Sequence, residues 1–410
     1  MQYHIITYGC QMNKSDSERI ASVIEKYGLS PAPKKENADL IIINACSVRQ
    51  SAMDRIYGQI RYLKLKNKKI KIFLTGCLLA KDKEKLRNKT DLIFKIKNLL
   101  KLSNFLNQKL KKQISDDYFQ ISPKYQNKFS AYIPIMTGCN NFCSYCVVPY
   151  VRGREYCRSP KKIIKEIKNL IKNGCKQIIL LGQNVNSYKS KGVNFPKLLK
   201  MINDLKGDFW LAFFTSHPKD LSDELIKTMA KSKKINPYLH LPIQSGDNQI
   251  LKKMNRKHTA ENYENLIKKI RRKIPQIAIS TDIIIGFPGE TKNQFQNTAE
   301  LMEKIKFDMA YLNKYSPRQQ TAAFKLKDDV SQKEKKRRWA VLNEILKKTA
   351  LENNQKLIGK TIEVLAEKNN FGRGFNFKDV QFKGDKKLIG KFVKIKITQA
   401  NPWSLKGELI

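Results

Sequence analysis

Apolar and polar residues alternate in blocks along the first 110 positions and predict strands and helices in turn. Continuous apolar runs at 3–7, 39–44 and 70–75 predict strands that are buried on both faces. Apolar residues spaced three or four apart predict helices at 15–27 and 51–65. Because each strand is followed by a helix, the pattern predicts a parallel sheet.

The same alternation resumes near residue 131 and predicts a second α/β region. Helical patterns at 163–172, 220–230 and 260–270 separate strand-like runs. Those runs lie at 177–181, 209–215, 238–243, 277–285 and 309–314. This makes roughly six β/α units, which predicts an open or partial barrel rather than a closed eight-stranded one.

The last part of the chain has a different pattern of apolar and polar residues. A basic helix is predicted at 331–356, and its charge is explained equally well by a solvated face. Short strands follow at 361–366, 380–383, 392–398 and 404–410, with an interruption at 372–374. Lysines alternate with apolar residues over 391–396, so one face would be core and the other basic. We predict a small antiparallel β-barrel, a shape often used to bind RNA.

A polar stretch at 108–130, rich in Lys, Gln, Asn and Ser, separates the first two regions and is predicted to be a linker. A chain of 410 residues is long enough for two to three domains. We predict boundaries at 1–115, 128–350 and 355–410.

The net charge and the pattern of the N-terminal residues limit the classes of protein to which the chain can belong. A formal net charge of +44 favours a polyanionic partner such as nucleic acid, although lysine is abundant along the whole chain. The chain opens without a basic, apolar leader, and its apolar runs are far shorter than the ~18 residues of a membrane span. We expect a cytoplasmic monomer with no membrane association and with reduced thiols.

Three cysteines within eight residues form the strongest chemical signal. Cys139, Cys143 and Cys146 have CxxxCxxC spacing in a short polar loop, which can direct three thiolates at one centre. Thiolates select iron–sulfur clusters or zinc, but a structural zinc site needs four protein ligands and no second pair follows. An iron–sulfur cluster with one open iron is favoured over zinc or unligated thiols.

A second set of three cysteines follows from the predicted sheet. Cys10, Cys46 and Cys77 each come just after one of the first three strands. Since parallel strands end at one edge of a sheet, these thiols should meet there. A single buried cysteine is usually a small hydrophobic residue, and we interpret Cys157 and Cys175 in that way.

Polar residues also follow the strands of the predicted barrel. Gln183 and Asn184, Ser216, and Gln244 each come after a strand-like run, at the barrel face that normally forms the active site. Taken one at a time, each is explained equally well as a satisfied cap or turn residue.

With these features in view, the whole chain resembles the radical S-adenosylmethionine methylthiotransferases. The stretches that carry the resemblance lie at 7–13, 44–49, 75–77, 139–150, 286–291 and 403–409. The stretches at 57–59 and 180–186 are most similar to the tRNA branch that acts on dimethylallyladenosine. One departure is Gln319-Gln320, where the family often has Pro-Gly, which affects the expected turn.

The resemblance implies a fold with three parts: a flavodoxin- or Rossmann-like N-terminal domain, a partial (β/α)6 radical-SAM barrel and a TRAM barrel. It implies two [4Fe–4S] clusters, one at Cys139, Cys143 and Cys146 and one at Cys10, Cys46 and Cys77. S-adenosylmethionine would bind the open iron of the first cluster, and the second would hold the sulfur to be transferred. Gln183, Asn184, Ser216 and Gln244 are expected to contact S-adenosylmethionine.

The activity implied by the resemblance is methylthiolation of C2 of N6-dimethylallyladenosine next to the anticodon of tRNA. The expected partners are that tRNA and an electron donor of flavodoxin or ferredoxin type. One alternative is a methylthiotransferase acting on threonylcarbamoyladenosine in tRNA or on a ribosomal protein. A non-enzymatic alternative is an iron–sulfur RNA-binding or redox-sensing protein.

Overall fold

A computed structural model describes residues 1–99, 102 and 117–410 of the chain. The predicted domain end at 115 and the first part of the predicted linker, 108–116, lie outside these residues. The chain divides into two compact units. Unit 1 comprises Met1–Asn127, Tyr132–Arg158 and Arg318–Phe324, and unit 2 comprises Lys128–Ala131, Ser159–Pro317 and Lys325–Ile410.

Unit 1 contains the predicted parallel sheet, which has five strands in the described residues. Their order is Ser30–Pro31, Gln2–Thr7, Leu40–Cys46, Lys71–Cys77 and Leu92–Ile93. Leu40–Cys46 is buried along its whole length because apolar helix faces cover both sides of the sheet. The helices that alternate with these strands are Gln11–Lys26, Gln50–Lys66 and Ala80–Arg87. The parallel-sheet prediction is confirmed.

The first helix begins earlier than its apolar pattern indicated. It starts at Gln11, directly after the extended residue Cys10, whereas the pattern predicted a start at residue 15. The first turns carry polar side chains that are nevertheless buried, among them Asn13 and Asp16. Hydrophobic periodicity cannot detect a helix face that is buried through polar contacts.

Residues 117–127 of the predicted linker are packed within unit 1. Tyr118 is buried in the short 3-10 helix Tyr118–Gln120 and donates a hydrogen bond to Asp16 Oδ1 at 2.6 Å. Lys124 pairs with Glu25 at 2.7 Å. This part of the stretch is therefore structural, contrary to the linker prediction.

The partial barrel is confirmed as two three-stranded sheets. One has the order Trp210–Phe214, Gln177–Leu181 and Ser130–Pro134, whose first residues belong to unit 2. The other has the order Tyr238–His240, Ala278–Ile285 and Met309–Lys314, with parallel pairing. The helices between and beside the strands are Pro160–Lys172, Phe195–Asn203, Asp223–Lys231, Asn248–Lys253, Ala260–Lys273 and Lys292–Ile305.

The C-terminal residues form a closed five-stranded barrel after the helix Gln332–Gln355. Its strands are Thr361–Lys368, Phe371–Gly374, Asp379–Phe382, Phe392–Ala400 and Leu405–Leu409. The predicted interruption at 372–374 is wrong, since these residues are a strand whose glycines lie close to a neighbouring strand. All pairs are antiparallel except Asp379–Phe382 with Leu405–Leu409, which is parallel.

The C-terminal barrel is joined to the rest of unit 2 by aromatic packing. Trp210 stacks against Phe375 and Phe392 with ring centroids 5.1 and 4.6 Å apart. Its indole N–H donates to Glu363 at 3.2 Å. Among the described residues, there is no helix with the length and apolar character needed to cross a membrane.

Candidate active site

Three thiols converge at the carboxyl edge of the unit 1 sheet. Cys46 and Cys77 end neighbouring parallel strands and lie directly opposite each other in the register. Cys10 follows the next strand along and caps the first helix. A Cβ atom added to Gly9 would lie 3.1 Å from the Cys46 sulfur, so the backbone before Cys10 runs against Cys46. We call Cys10, Cys46 and Cys77 the sheet-edge trio.

Asn13 lies at the centre of the sheet-edge trio. Its Nδ2 donates to the carbonyls of Tyr8 at 2.7 Å and Ala45 at 3.0 Å, which joins the first two strand ends. Its Oδ1 lies 4.0 Å from the Cys10 sulfur and 3.9 Å from the Cys77 sulfur. Because Asn13 is fully buried, its two donated hydrogen bonds hold the chain segments that carry Cys10 and Cys46 in a defined arrangement.

A buried arginine reaches the same place from a different part of unit 1. Arg152 ends the short helix Val148–Arg152, and its Nε donates to the sulfur of Cys77 at 3.1 Å. One terminal nitrogen of Arg152 donates to Asn13 Oδ1 at 2.8 Å and to Asp16 Oδ2 at 2.7 Å. The guanidinium is therefore a charged group in direct contact with both a thiol of the trio and Asn13.

Burial and charge act in opposite directions on these thiols. The pKa of Cys77 is raised to about 12, chiefly by burial; the charge of Arg152 opposes this shift and the neighbouring cysteines add to it. Burial likewise raises the pKa of Cys46. In the metal-free protein both residues are neutral thiols near pH 7, and binding a metal must displace their protons.

The second set of three cysteines lies in a loop of unit 1 closed by a two-stranded ribbon. Met136–Thr137 pairs with Tyr156–Cys157 at the base of the loop. Cys139 N–H donates to Gly153 O at 3.1 Å, and Cys146 N–H donates to Cys143 O at 2.9 Å. All three cysteines are partly exposed. We call Cys139, Cys143 and Cys146 the loop trio.

Gly138 is required by this loop for steric reasons. Its φ is +83°, and an added Cβ would lie 2.0 Å from the carbonyl oxygen of Arg154. Phe142, between the first two cysteines, also has positive φ, at 48°. Left-handed residues of this kind turn the chain sharply, and here they curve the backbone around the thiols.

Within unit 1, residues 318–324 contact residues that lie next to each of the two trios. Ala323 N–H donates to Ser144 O at 2.7 Å, inside the loop trio. Arg318 is buried 3.6 Å from Asp82, which accepts a hydrogen bond from Ser47 next to Cys46. Gln320, where the family often has Gly, has φ of +68°, so the departure from the pattern changes the residue without removing the turn.

Within the described residues, no three His, Cys, Asp or Glu side chains meet closely enough to hold a single metal ion. The thiols of each trio are instead distributed around a sheet edge or a loop. A cubane cluster offers a separate iron to each cysteine, so its ligands do not have to meet at one point. The arrangement and the soft donor set therefore fit an iron–sulfur cluster.

The four polar residues predicted to contact a cofactor lie at strand ends in unit 2. Asn184 Oδ1, Ser216 Oγ and Gln244 Oε1 are buried and have no hydrogen-bond partner among the described residues. Gln183 is partly exposed and has an interaction of its own within the protein. Because unsatisfied buried polar atoms are costly, three of them at predicted positions fit a polar ligand such as S-adenosylmethionine.

Backbone strain marks the same strand ends. Thr215 and Gln244 have φ of +73° and +76°, which is unusual for residues other than glycine. Val185 N–H donates to Thr215 O at 2.9 Å, so the ends carrying Asn184 and Ser216 are brought together. Gln244 pairs instead with Ile283, in the other sheet of unit 2.

A histidine pair that the sequence analysis did not select lies beyond Ser216. The rings of His217 and His258 are 5.8 Å apart. Burial, and next the charge of Arg256, lower the pKa of His217 to about 2 and that of His258 to about 3. Both rings are therefore neutral at physiological pH. Each neutral ring has one donor and one acceptor nitrogen and adds no charge to this region.

Asn13, Asp16 and Arg152 are further site residues that the sequence pattern did not indicate. Asn13 and Asp16 lie within six residues of Cys10, and Arg152 lies six residues after Cys146. That proximity to two cysteine sets was the only local signal available, since contacts across 136 and 139 residues of sequence depend on the tertiary fold.

Three family models match successive parts of the chain. Residues 2–95 match "Uncharacterized protein family UPF0004", residues 133–302 match the "Radical SAM superfamily", and residues 349–410 match the "TRAM domain". The first match contains the sheet-edge trio, and the second contains the loop trio and the strand-end residues.

Solved structures share the fold at low sequence identity. The radical S-adenosylmethionine methyltransferase TsrM from Kitasatospora setae, with cobalamin and a [4Fe-4S] cluster bound, has a TM-score of 0.55 at 11% identity and covers 76% of this chain and 74% of its own. The cobalamin-dependent S-adenosylmethionine radical enzyme OxsB has a TM-score of 0.55 at 12% identity and covers 86% of this chain and 56% of its own. These likenesses concern the fold alone.

Whole-chain similarity is found among proteins named tRNA-2-methylthio-N(6)-dimethylallyladenosine synthase. The protein from Dictyoglomus thermophilum is 43% identical over 100% of this chain and 98% of its own length. Those from a Thermoanaerobacter species and from Clostridium botulinum are 43% and 42% identical over 100% of this chain and 93% and 97% of theirs. At this identity and coverage, the chain belongs to the tRNA-2-methylthio-N(6)-dimethylallyladenosine synthase family of radical S-adenosylmethionine enzymes.

Proposed function

We propose that this enzyme transfers a methylthio group to C2 of N6-dimethylallyladenosine, next to the anticodon of tRNA. The observation that carries the proposal is the pair of separate thiol trios, in a chain that matches synthases of this name along its whole length. An iron–sulfur protein that only binds RNA would have no need for a second set of thiols with the same incomplete ligand number.

The cofactors of this family are S-adenosylmethionine and [4Fe–4S] clusters. We assign one cluster to the loop trio and the other to the sheet-edge trio, with S-adenosylmethionine at the strand ends of Asn184, Ser216 and Gln244. When bound, these groups supply the electron, the radical and the sulfur that acid–base side chains cannot provide. The chain's own task is to hold thiolates, orient ligands and present the base.

The protein environment divides that task between the two trios. Cys46 and Cys77 are buried beneath Asn13 and Arg152, so their positions are set by long-range contacts. The loop trio is held by backbone hydrogen bonds within its own segment of chain. Its thiols are partly exposed, so a ligand can approach them. Neutral His217 and His258 leave the strand-end region of unit 2 without added charge of their own.

The C-terminal barrel supports tRNA as the substrate class. Along Phe392–Ala400, Val393 and Ile395 are buried, whereas Lys394 and Lys396 are exposed, as the alternating pattern predicted. Together with the net charge of +44, this basic face fits the phosphate backbone of RNA. The target base has to be unstacked before its C2 atom can react.

Three further parts of the proposal concern the cellular setting. We propose that the enzyme works as a cytoplasmic monomer and receives electrons from a flavodoxin- or ferredoxin-type protein. The support is the likeness to tRNA-modifying relatives and the need of radical cleavage for a low-potential reductant.

The test is an anaerobic reconstitution with iron, sulfide, S-adenosylmethionine, a reductant and tRNA from a strain that lacks the modification. We expect about eight irons per chain, formation of 5′-deoxyadenosine, and a mass shift of one methylthio group on dimethylallyladenosine. The Cys175→Ala variant is the control, because this buried thiol donates to Gln177 O in its own segment. Iron for a single cluster, or release of 5′-deoxyadenosine without modified tRNA, would contradict the proposal.

A further inference from the structure

A network of four buried polar side chains lies beside the sheet-edge trio of unit 1. Arg152 contacts Cys77, Asn13 and Asp16, and Tyr118 donates to the other carboxylate oxygen of Asp16 at 2.6 Å. The Arg152 and Asp16 side chains are 5% and 0% exposed. Such a network is costly unless every member is satisfied, so its presence beside a ligand thiol calls for a functional explanation.

We propose that Arg152 is a positioning residue for the cluster of the sheet-edge trio. The inference rests on the proposed function, in which Cys77 is a cluster ligand. Arg152 does not touch the substrate; it acts through the sulfur of Cys77.

The geometry of the guanidinium favours this role over that of a plain ion pair. The ion pair with Asp16 uses one terminal nitrogen of Arg152, and Nε is directed instead at a sulfur 3.1 Å away. Asp16 is held by Tyr118, so the carboxylate fixes the plane of the guanidinium and with it the direction of the Nε–H bond. Hydrogen bonds to the sulfur ligands are among the factors that set the reduction potential of an iron–sulfur cluster.

The position of Arg152 in the chain connects it to the loop trio. The helix Val148–Arg152 begins two residues after Cys146, the last thiol of the loop trio. Directly beyond the helix, Gly153 O accepts from the N–H of Cys139, the first thiol of that trio. The segment that closes the loop trio therefore also delivers the side chain that contacts Cys77.

The experiment compares substitutions at Arg152 with a matched buried ion pair. Arg152→Lys keeps the charge near Asp16 but loses the planar Nε–H donor, and Arg152→Gln loses the charge as well. The control is Arg338→Gln in unit 2, because Arg338 and Glu290 are 4% and 2% exposed and 2.7 Å apart, as close as Arg152 and Asp16. Iron per chain is measured after anaerobic reconstitution of each full-length protein.

The second readout is the midpoint potential of the sheet-edge cluster. It is measured by electron paramagnetic resonance during a redox titration, in a background where Cys139, Cys143 and Cys146 are all changed to alanine. We expect Arg152→Lys to retain its iron but to shift this potential to a more negative value. We expect Arg152→Gln to lose about half of the iron of the intact enzyme, and Arg338→Gln to leave both readouts unchanged.

The outcomes separate this inference from the proposed function. If the unsubstituted protein binds one cluster only, the proposed function fails, and this inference fails with it. If that protein binds two clusters and Arg152→Lys has an unchanged potential, the positioning role is overturned even where Arg152→Gln unfolds. An equal loss of iron in Arg338→Gln would also overturn it, because the effect would then be general to buried ion pairs.

Discussion

The two thiol trios of unit 1 are held by opposite kinds of backbone. In the sheet-edge trio, Cys46 and Cys77 are buried and lie in register at the ends of parallel strands, whereas Cys10 is exposed at the start of the first helix. The loop trio lies on irregular chain, with a left-handed residue at Phe142 and partial exposure of every thiol. The strand ends position Cys46 and Cys77, whereas the loop trio is positioned by backbone hydrogen bonds around its loop, including one from Ala323 to Ser144.

The difference teaches how one chain can assign two roles to the same ligand type. A site held by a sheet edge is rigid, because moving one thiol would disturb the core on both faces. A site in an exposed loop leaves room for a second molecule beside the metal. We therefore expect substitutions around the two trios to have different consequences, and the following predictions are ordered by expected size.

The largest effects are expected from removing one thiol of each trio. Cys139→Ala should abolish both 5′-deoxyadenosine and methylthiolated tRNA, because the proposed radical source loses a ligand. Cys77→Ala should continue to form 5′-deoxyadenosine while methylthiolation falls below detection. Chromatography of the nucleoside and mass spectrometry of the tRNA measure the two products. The same profile in both variants would mean that the trios do not have separate roles.

A smaller but still large effect is expected at Gly138. In Gly138→Ala the new Cβ would clash with the Arg154 carbonyl at 2.0 Å, so the loop trio should lose its cluster and reconstituted iron should fall by about half. Gly28→Ala is the matched control, because Gly28 has a similar φ of +81° and nothing within 4 Å of an added Cβ. That variant should cost about 1–2 kcal/mol of stability and keep its iron. Equal iron loss in the two variants would refute the steric explanation.

Asn13→Ala should destabilise the sheet-edge trio without removing a thiol. The carbonyls of Tyr8 and Ala45 would lose their buried donor, which corresponds to about 2–4 kcal/mol. Hydrogen exchange of the strand Leu40–Cys46, followed by mass spectrometry, measures the loss. Asn262→Ala, at an exposed position of the helix Ala260–Lys273, is the control and should stay within about 0.5 kcal/mol. Unchanged protection in Asn13→Ala would show that the sheet alone positions these thiols.

The smallest effect is expected at the rim of the loop trio. Glu155 accepts a hydrogen bond from the Asn140 N–H at 3.3 Å in an exposed position, so Glu155→Gln should weaken the loop by about 1 kcal/mol or less. Release of iron to a chelator should then be faster by less than about fivefold. Glu264→Gln, which removes an exposed helical ion pair with Lys268, should leave the rate unchanged. A far larger acceleration would mean that the loop depends on this one contact.

The same contrast explains how much could be predicted from the sequence. The loop trio is visible because its signal is local, three cysteines within eight residues. The placement of Cys10, Cys46 and Cys77 was also predictable, because parallel strands end at one edge. The assignment of either trio as cluster ligands remains a prediction from spacing and resemblance.

The features that escaped prediction depend on tertiary contacts or on weak local patterns. Asn13 and Arg152 are polar residues whose roles arise only when segments 139 residues apart meet. The strand Phe371–Gly374 has two glycines, which normally argue against a strand; Gly372 is needed here because the Leu365 carbonyl would lie 2.5 Å from an added Cβ. Burial of Tyr118 was hidden by the polar residues around it.

The short helix Val148–Arg152 has a consequence for how this family can vary in length. Each residue of a helix turns the chain by about 100°, so one inserted residue between Cys146 and Arg152 would rotate the guanidinium away from Cys77. A deletion would have the same result in the other direction. The interval of six residues between Cys146 and Arg152 therefore has to keep its length. We expect insertions among related synthases to fall outside it.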